Sequence, residues 1–347
     1  MQEKNPFNII FGMKPQSFIV RQENREEILN DFKNSEHGSI AIVTGVRGSG
    51  KTVFLSDIAK ELDMEKNWIT IMLNPELNLY ENAFVKLNKA LKTNSIHAKF
   101  EFNLSPLTIS VNKDQPNYSS LEAEIEDLLK IASKKNKKVL FMIDEITNNI
   151  ETKQFLSSFQ IFLRSDLPIY ILASGLPNHI YDLQDEKTLT FLYRAPKIEM
   201  TPLNIANIRM EYKKLLNIND ETAIHMAKLT KGYSYGYQLL GDLVWKNNKQ
   251  YDESLLEAYD IKLAEFVYDK IYSELSEKDI QFTEAICLKN LYNVKDLCSY
   301  LKITPKQFSP YRDRLIKKGI IIPLKRGIFK IALPRFAEYI KERKLFE

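Results

Sequence analysis

The sequence predicts an α/β fold with a parallel sheet and helices on both faces, and three observations support this prediction. Short apolar runs alternate with helix-length segments between residues 40 and 200. The runs are rich in β-branched residues, which is typical of strands buried on both faces. A glycine-rich loop follows the first run, and two carboxylates end the third. The runs are SIAIVTG, NWITIMLN, KVLFMIDE, PIYILASG and KIEM.

The strand pattern stops after residue 200, and helical patterns follow from Thr201 to Asp269. They break at residues 217–220, at Gly232 and at residues 247–252, which predicts a small helical domain. Residues 270–347 combine three helical patterns with IIIPLKRGIFKIAL, a predicted hairpin, and this order favours a winged helix. We therefore expect domains at residues 1–200, 201–269 and 270–347.

One segment departs from the alternation of strands and helices. Residues 97–112 alternate apolar and polar positions around Ser105-Pro106. This pattern predicts an inserted β-hairpin before a helix that starts near Leu121. The sequence does not indicate what such a hairpin would do.

Composition narrows the class of protein. The 347 residues are 44% hydrophobic and 27% charged, which indicates a globular chain of two or three domains. No apolar run approaches the ~18 residues that span a bilayer, and the N-terminus lacks the features of a signal peptide. We expect a cytoplasmic protein without a membrane segment. Cys287 and Cys298 lack a second ligand pair nearby, so buried thiols are expected.

The net charge of +4 is unevenly distributed. From Ser276 to the C-terminus, 16 Lys and Arg stand against 8 Asp and Glu. The rest of the chain is therefore slightly acidic. A basic C-terminal region favours an acidic partner, for example nucleic acid.

The glycine-rich loop is the clearest motif. Residues 45–52, GVRGSGKT, match G-x-x-x-x-G-K-[ST] in full, between a predicted strand and an amphipathic helix. Backbone N–H groups and the helix N-terminus favour phosphate here, Lys51 can reach the β- and γ-phosphates, and Thr52 can ligate Mg²⁺. The loop predicts binding of ATP with Mg²⁺. The nucleotide-binding candidates are Gly45, Val46, Arg47, Gly48, Ser49, Gly50, Lys51, Thr52 and Val53.

The two carboxylates complete this predicted site. Asp144 and Glu145 follow a buried strand, at the sheet edge where α/β proteins bind ligands. Asp144 would hold Mg²⁺ together with Thr52. Glu145 is suited to polarise a water for attack on the γ-phosphate, so it is the candidate general base.

Two further residues are catalytic candidates. Ser174 ends the next strand and would lie beside the γ-phosphate if that strand neighbours the one carrying Asp144; it could also merely end its strand. Arg194 could stabilise transition-state charge in its own or a neighbouring subunit. Arg164, Arg209 and a plain surface ion pair are alternatives to this role of Arg194.

These motifs together resemble the AAA+ ATPases, and among them the origin-recognition-like and archaeal-type ATPases with a C-terminal winged helix. GVRGSGKT and VLFMIDE resemble the Walker A and Walker B motifs, and ASGLP resembles sensor 1. KPQSFIVRQENREEI resembles the segment that covers the adenine, which implies that Ile19, Val20 and Arg21 lie near the base. FLYRAPKIEMTPL resembles the arginine-finger region, which in related assemblies acts on a neighbouring subunit.

The resemblance departs at one position of the predicted lid. KGYSYGYQLLG resembles the segment that carries sensor 2, but Tyr235 stands where relatives often have an arginine. The departure is compatible with slow turnover, in which ATP acts as a conformational switch. Arg47 has two possible orientations, toward phosphate or outward to solvent.

The C-terminal helices suggest a DNA-binding unit. Asn293 is expected to cap a first helix with an apolar face, and Ser309 and Pro310 are expected to start a second helix ending at Lys318. Basic side chains of this helix and the hairpin would contact double-stranded DNA. The candidates are Arg312, Arg314, Lys317, Lys318, Lys325 and Arg326. Winged helices also bind proteins, and that alternative stays open.

The sequence therefore predicts an ATP-hydrolysing AAA+ protein that couples its nucleotide state to DNA binding and assembles as a homo-oligomer. The alternative is a nucleotide-gated signalling switch whose winged helix recruits a protein partner. A metabolic kinase is less favoured because no acceptor-binding segment is visible in the sequence.

Overall fold

A parallel five-stranded sheet forms the core of the first 200 residues, as predicted. The computed structural model describes residues 3–10, 15–91 and 118–346. The strand order is β2-β3-β4-β1-β5, and every neighbouring pair runs parallel. The strands are β1 (Ser39–Thr44), β2 (Trp68–Leu73), β3 (Lys138–Ile143), β4 (Ile169–Gly175) and β5 (Lys197–Glu199).

Helices cover both faces of this sheet, and each face has its own apolar core. Side chains of α1 and α2 pack on one face, and those of α3 to α6 pack on the other. Strand residues alternate between the two cores because successive side chains of a strand point to opposite faces. The helices are α1 (Gln22–Asn34), α2 (Lys51–Asp63), α3 (Leu79–Leu91), α4 (Tyr118–Lys134), α5 (Ile150–Arg164) and α6 (Pro177–Gln184).

The region after the sheet is helical, and its breaks lie where the sequence predicts them. Asn204 and Asn219 cap two of the helices by accepting hydrogen bonds from backbone N–H groups of the first turn. The helices are α7 (Ile205–Leu216), α8 (Asp220–Leu229) and α9 (Ser234–Lys246).

A connecting helix leads from α9 to the C-terminal region. It consists of α10 (Leu255–Leu263), one π-helical segment (Ala264–Tyr268) and α11 (Asp269–Ser273). A π-helical turn inside an α-helix is rare and is frequently found at functional sites. Here it lies beside the cavity described below.

The C-terminal region contains helices and an antiparallel two-stranded hairpin. The predicted cap of α13 is confirmed, since the Asn293 side chain accepts from the backbone N–H of Lys295. The hairpin of β6 and β7 is also present. The elements are α12 (Glu277–Lys289), α13 (Val294–Leu301), α14 (Pro305–Lys317), β6 (Ile321–Lys325), β7 (Ile328–Ile331) and α15 (Phe336–Phe346).

The predicted start of α14 is wrong. The helix begins at Pro305, capped by Thr304 in a capping box with Gln307, and Pro310 lies inside it. Phe308 explains the difference. It is buried with its ring centroid 5.0 Å from that of Phe282, so tertiary packing holds the first turn in place despite the internal proline.

The helical and C-terminal regions share one apolar core. Their buried side chains form a single cluster from Leu203 to Ile340, which also takes in Phe7 from the N-terminal segment. Cys287 and Cys298 are buried free thiols within this core, as expected. The proposed division at residue 269 stays a prediction.

Two further predictions concern membranes and the inserted hairpin. Across the described ranges, none of the helices combines the length and apolar character needed to cross a bilayer. The predicted hairpin at residues 97–112 lies outside the described residues.

Candidate functional site

The glycine-rich loop joins the C-terminal end of β1 to the first residue of α2. β1 lies between β4 and β5, so the loop sits at the carboxyl edge of the sheet with a strand on either side. Gly50 has a left-handed conformation (φ +95°) and precedes Lys51, the first residue of α2. Residues 47–53 of the loop and helix start line a cavity of about 710 Å³, which is within the usual size range of small-molecule sites.

Lys51 is buried at the base of this cavity. Its side chain is only 5% exposed, and Nζ donates to the carbonyl oxygens of Gly45 and Val46 at 2.9 and 3.1 Å. Burial lowers the pKa of Lys51 to about 8, although the nearby carboxylates of Glu145 and Asp144 act in the opposite direction. An anion bound in the cavity would stabilise the charged amine.

The carboxylates lie where the predicted metal site requires them. Thr52 Oγ1 donates to Asp144 Oδ2 at 2.5 Å, so the two oxygens are adjacent at the mouth of the loop. Mg²⁺ prefers oxygen ligands and commonly takes one or two protein oxygens, with phosphate oxygens and water completing its shell. The donor set therefore fits Mg²⁺ bound together with a nucleotide phosphate.

Glu145 has the exposure expected of a residue that handles water. It follows Asp144 in a left-handed conformation (φ +58°), which is uncommon for a residue with a side chain. Its backbone N–H donates to Ser174 Oγ at 3.2 Å, and its exposed side chain lines the cavity. The backbone strain is therefore supported by a specific hydrogen bond beside the site.

Ser174 lies beside Asp144, but its position does not suit the predicted contact with phosphate. The strand β4 does neighbour β3, as the prediction required. However, Ser174 is fully buried, and its hydroxyl donates to Asp144 Oδ1 while it accepts from the N–H of Glu145. It is a positioning residue for the two carboxylates. The difference arises because the side chain at this register turns toward the neighbouring strand end and away from the cavity.

The apolar end of the cavity is formed by the N-terminal segment. Ile19 lines the cavity, as predicted, but Val20 is 43% exposed and is not among the lining residues, which corrects that assignment. Gln238 of α9 holds the segment in place. Its side chain accepts from the N–H of Asn8 at 3.0 Å and donates to the carbonyl of Ser17 at 2.9 Å. The further apolar lining residues of this segment are Ile9, Ile10, Pro15 and Phe18.

Arg21 is a partly buried cation that faces the loop. Burial lowers the pKa of its guanidinium to about 10, and Nη2 approaches the carbonyl oxygen of Ser49 at 3.5 Å. Within the described ranges, no carboxylate forms an ion pair with Arg21. Removing a charge from water without a counter-ion is unfavourable, so this arrangement favours an anionic ligand near Arg21.

Arg47 points toward the C-terminal region rather than into the phosphate cradle. Its guanidinium pairs with Glu274 Oε1 at 3.0 Å. The side chain of neighbouring Val46 also faces that region, because a Cβ added at Gly319 would overlap it. Two residues of the loop therefore contact the segments that flank the C-terminal helices.

No sequence signal marks two other cavity residues. Phe266, in the π-helical segment, and Lys270, in α11, line the cavity. Lys270 Nζ lies 3.7 Å from Glu274, the same carboxylate that pairs with Arg47. Only the chain topology brings this helix to the loop, and no local pattern indicates it.

Arg194 lies outside the cavity. It is exposed after a short 3₁₀ helix (Thr190–Tyr193), and no carboxylate in the described part of the chain pairs with it. Arg209, one alternative, forms an ion pair with Asp220 at 2.6 Å and is accounted for structurally. An exposed, unpaired Arg194 cannot act within its own cavity, so the trans assignment stays a prediction.

The predicted DNA-binding side chains of α14 have partners within the molecule. Arg314 pairs with Asp279 at 2.9 Å, and Arg312 pairs with Asp313. Asp279 is only 2% exposed, so this ion pair draws the Arg314 guanidinium toward α12, while the Arg314 side chain itself stays 44% exposed.

The C-terminal end of α14 rests on the α/β region. Lys317 Nζ lies 4.4 Å from the centroid of the Tyr181 ring on α6, a cation–π distance. Lys318 Nζ donates to the carbonyl of Glu274 at 2.5 Å. Lys325 and Arg326, in contrast, are exposed at the hairpin. The sequence correctly anticipated a basic hairpin tip, but it did not indicate that Arg314, Lys317 and Lys318 contact groups distant in sequence.

Comparisons with known proteins agree with this architecture. A family model described as a domain of unknown function (DUF8462) matches residues 265–340, and no curated protein matches the chain. The Walker-type ATPase of Pyrococcus abyssi superposes with a TM-score of 0.66 at 16% identity, covering 94% of this chain and 97% of that one.

Two further solved structures are also similar in fold. The ORC2 protein of Aeropyrum pernix, solved as ADPNP–ADP complexes, has a TM-score of 0.61 at 12% identity and covers 98% of both chains. Cdc6p of Pyrobaculum aerophilum has a TM-score of 0.50 at 14% identity, covering 97% of this chain and 98% of that one. The sheet and the loop thus define the fold of the Walker-type ATPase of Pyrococcus abyssi. More particularly, most of the chain has the fold of the ORC and Cdc6 type.

Proposed function

We propose that the protein binds and hydrolyses ATP and couples its nucleotide state to binding of double-stranded DNA by the C-terminal region. One observation carries the coupling. The end of α14 lies on the phosphate-binding loop, where Gly319 packs against Val46. A change in the loop is therefore transmitted directly to the helix that would face DNA.

The cavity residues divide into three chemical roles. Lys51 and Arg21 supply positive charge for the phosphates, and Ile19 with its apolar neighbours would cover the base. Thr52 and Asp144 would hold Mg²⁺, which when bound neutralises charge on the β- and γ-phosphate oxygens. Glu145 would accept the proton of the attacking water, since it is exposed to the cavity and oriented by Ser174.

The charges on the C-terminal surface support DNA as the partner. Lys325 and Arg326 are exposed at the hairpin beside Leu324, which is 58% exposed. Flexible cations at an exposed tip suit phosphate contacts, which fix a protein on a duplex without reading its sequence. In this proposal the C-terminal region is a winged helix whose hairpin is the wing.

A second function is favoured by the internal partners of the basic residues of α14. Arg314, Lys317 and Lys318 each contact another group of the molecule, which commits part of the charge that the helix would offer to DNA. The alternative is a nucleotide-gated switch in which the C-terminal region recruits a protein partner. Hydrolysis would then only reset the switch.

A filter-binding titration of a labelled duplex distinguishes the two functions. We expect affinity to differ at least fivefold between the ATP and ADP states, which is the lower end of typical coupling between sites. Lys51→Ala is the control, because it should bind the duplex identically with and without nucleotide. Equal duplex affinity of the wild-type protein in its ATP and ADP states would contradict the coupling. Intact ATP binding with no duplex binding would favour the protein-recruiting switch.

A further inference from the structure

Three consecutive residues at the start of α9 hold three consecutive carbonyl groups of the phosphate-binding loop. Residues 233–235 and residues 47–49 are about 185 positions apart in the chain, yet each of the three carbonyls accepts one hydrogen bond from residues 233–235. The bonds are Tyr233 Oη to Arg47 O at 2.7 Å, Tyr235 N–H to Gly48 O at 3.0 Å and Ser234 Oγ to Ser49 O at 2.8 Å.

These bonds control the direction of the opposite N–H groups. In a trans peptide unit the C=O and the following N–H point to opposite sides. Holding the carbonyls of residues 47–49 against α9 therefore turns the N–H groups of residues 48–50 away from α9. Such a row of N–H groups is the backbone part of an anion-binding cradle.

The N–H groups concerned are available to a ligand. Among the described residues, the N–H groups of Gly48 and Gly50 have no protein acceptor, and that of Ser49 has a long bond of 3.3 Å to the carbonyl of Val46. All three residues line the cavity. The cradle is thus oriented before any phosphate enters.

Gly48 permits the close approach that the first bond requires. It has a φ of +68°, and a Cβ at this position would overlap the hydroxyl of Tyr233. Tyr233 itself is almost fully buried, so its hydroxyl is held in one place. The contact therefore depends on both segments, on the glycine at position 48 and on the fixed hydroxyl of Tyr233.

We infer that residues 233–235 are positioning residues that preorganise the phosphate cradle, and we call them the carbonyl clamp. They bear no positive charge and act on ATP only through the loop backbone. Because the clamp belongs to the helical region, rotation of that region would release the carbonyls and weaken the hold on phosphate. This inference rests on the proposed nucleotide function of the cavity.

Two variants remove the side-chain bonds while leaving the cavity lining nearly unchanged. Tyr233→Phe and Ser234→Ala each delete one hydroxyl that faces the loop. Tyr259→Phe is a matched control, since that buried hydroxyl has no hydrogen-bond partner among the described residues. Ser133→Ala, at an exposed position of α4, is the control for the serine change.

Affinities for ATP, ADP and AMP are measured by isothermal titration calorimetry. Each clamp variant should lose about fivefold in affinity for ATP and ADP, as expected for one hydrogen bond. Affinity for AMP should change less than twofold, because AMP lacks the phosphates that a Walker A loop holds. Both controls should match the wild type for all three nucleotides.

The results separate failure of the clamp from failure of the proposed function. Wild-type protein that binds no ATP would overturn both. If the wild type binds ATP and the folded clamp variants bind it with the same affinity, the clamp alone would be overturned. A decrease in AMP affinity equal to the decrease in ATP affinity would also overturn the clamp, because it would indicate general damage to the cavity. Thermal unfolding checks the fold of each variant. If Tyr233→Phe proves unfolded, the Ser234→Ala variant alone tests the clamp, because Ser234 is only partly buried and its substitution should leave the fold intact.

Discussion

Single residues of this site owe their properties to burial and to their partners. Lys51 and Arg21 are both basic, but burial lowers the pKa of Lys51 to about 8 and that of Arg21 to about 10. Arg21 therefore stays charged at every pH near neutrality, whereas Lys51 approaches its titration range. The difference makes Lys51 the residue whose charge can be tested by pH.

ATP affinity should fall as pH rises through 8. The charged form of Lys51 is the form that attracts phosphate, and the folded, nucleotide-free protein holds this proton only below its pKa of about 8. Above that value, affinity should drop by up to about tenfold per pH unit until the pKa of the bound state is reached. Calorimetric titrations between pH 7 and 9.5 test this. Lys51→Arg, which stays charged, should flatten the profile, and a steep profile in that variant would assign the effect to another group.

Glu145→Gln and Lys51→Ala should impair different steps, hydrolysis of ATP in the first variant and binding of ATP in the second. Lys51→Ala removes charge that binds the ground state, so it should abolish most ATP affinity. Glu145→Gln leaves the binding groups in place but removes the proton acceptor, so ATP should remain bound without turnover. Binding and phosphate-release assays on the same preparations measure both properties. Wild-type hydrolysis by Glu145→Gln would show that another group activates the water.

Among the helices and strands, α14 stands out because its two ends face different surroundings. Its C-terminal end is attached to the α/β region through Lys317 and Lys318, while its capped N-terminal end at Thr304 is exposed. The hairpin tip is exposed as well. A contact with DNA would therefore use the start of α14 and the hairpin, rather than the whole basic face of the helix.

Removing Lys325 and Arg326 together should weaken binding to all duplexes alike. If both side chains bind phosphates, the slope of log affinity against log salt should decrease by about two, at ~0.9 for each phosphate that is no longer neutralised. The measurement is affinity against salt on two duplexes of unrelated sequence. Lys214→Ala with Lys228→Ala, two exposed lysines of the helical region, is a control of equal charge. An unchanged salt slope would rule out the phosphate assignment, and a decrease in affinity confined to one duplex would indicate base reading.

In the molecule as a whole, the loop is surrounded by three regions of the chain. The clamp contacts it from α9, Glu274 reaches Arg47 from the end of the connecting helix, and Gly319 packs on Val46. The helical and C-terminal regions also share one continuous core. In the proposed coupling, this shared core would carry a shift of the helical region to the C-terminal region.

Arg194 should act on a neighbouring subunit. It is exposed and unpaired among the described residues, and a contact of this type contributes ~10³-fold or more in comparable phosphoryl-transfer systems. Arg194→Ala and Lys51→Ala should each be inactive alone and recover part of the ATPase activity when mixed. Mixed oligomers are verified by co-purification through two different tags. If mixed oligomers form but ATPase activity is not recovered, Arg194 would be a structural residue.

The features of this protein that follow from sequence patterns are local ones. Strand positions follow from the β-branched runs, and the phosphate-binding loop follows from eight contiguous residues between a strand and a helix. Caps such as Asn293 were also predictable, because a cap acts within one helical turn. These features depend on neighbours in the chain, and a sequence pattern contains that information directly.

Which distant groups meet depends on tertiary packing. Phe308 places the start of α14 ahead of the sequence signal at Pro310, and Asp279 forms an ion pair with Arg314. The partners of Arg47 and of the loop carbonyls lie roughly 185 to 227 residues away in the chain. Such pairings arise because packing of the shared core fixes the relative positions of whole helices. No periodicity or motif encodes a distance between segments, so only the folded chain could supply the clamp and the internal partners of the basic residues of α14.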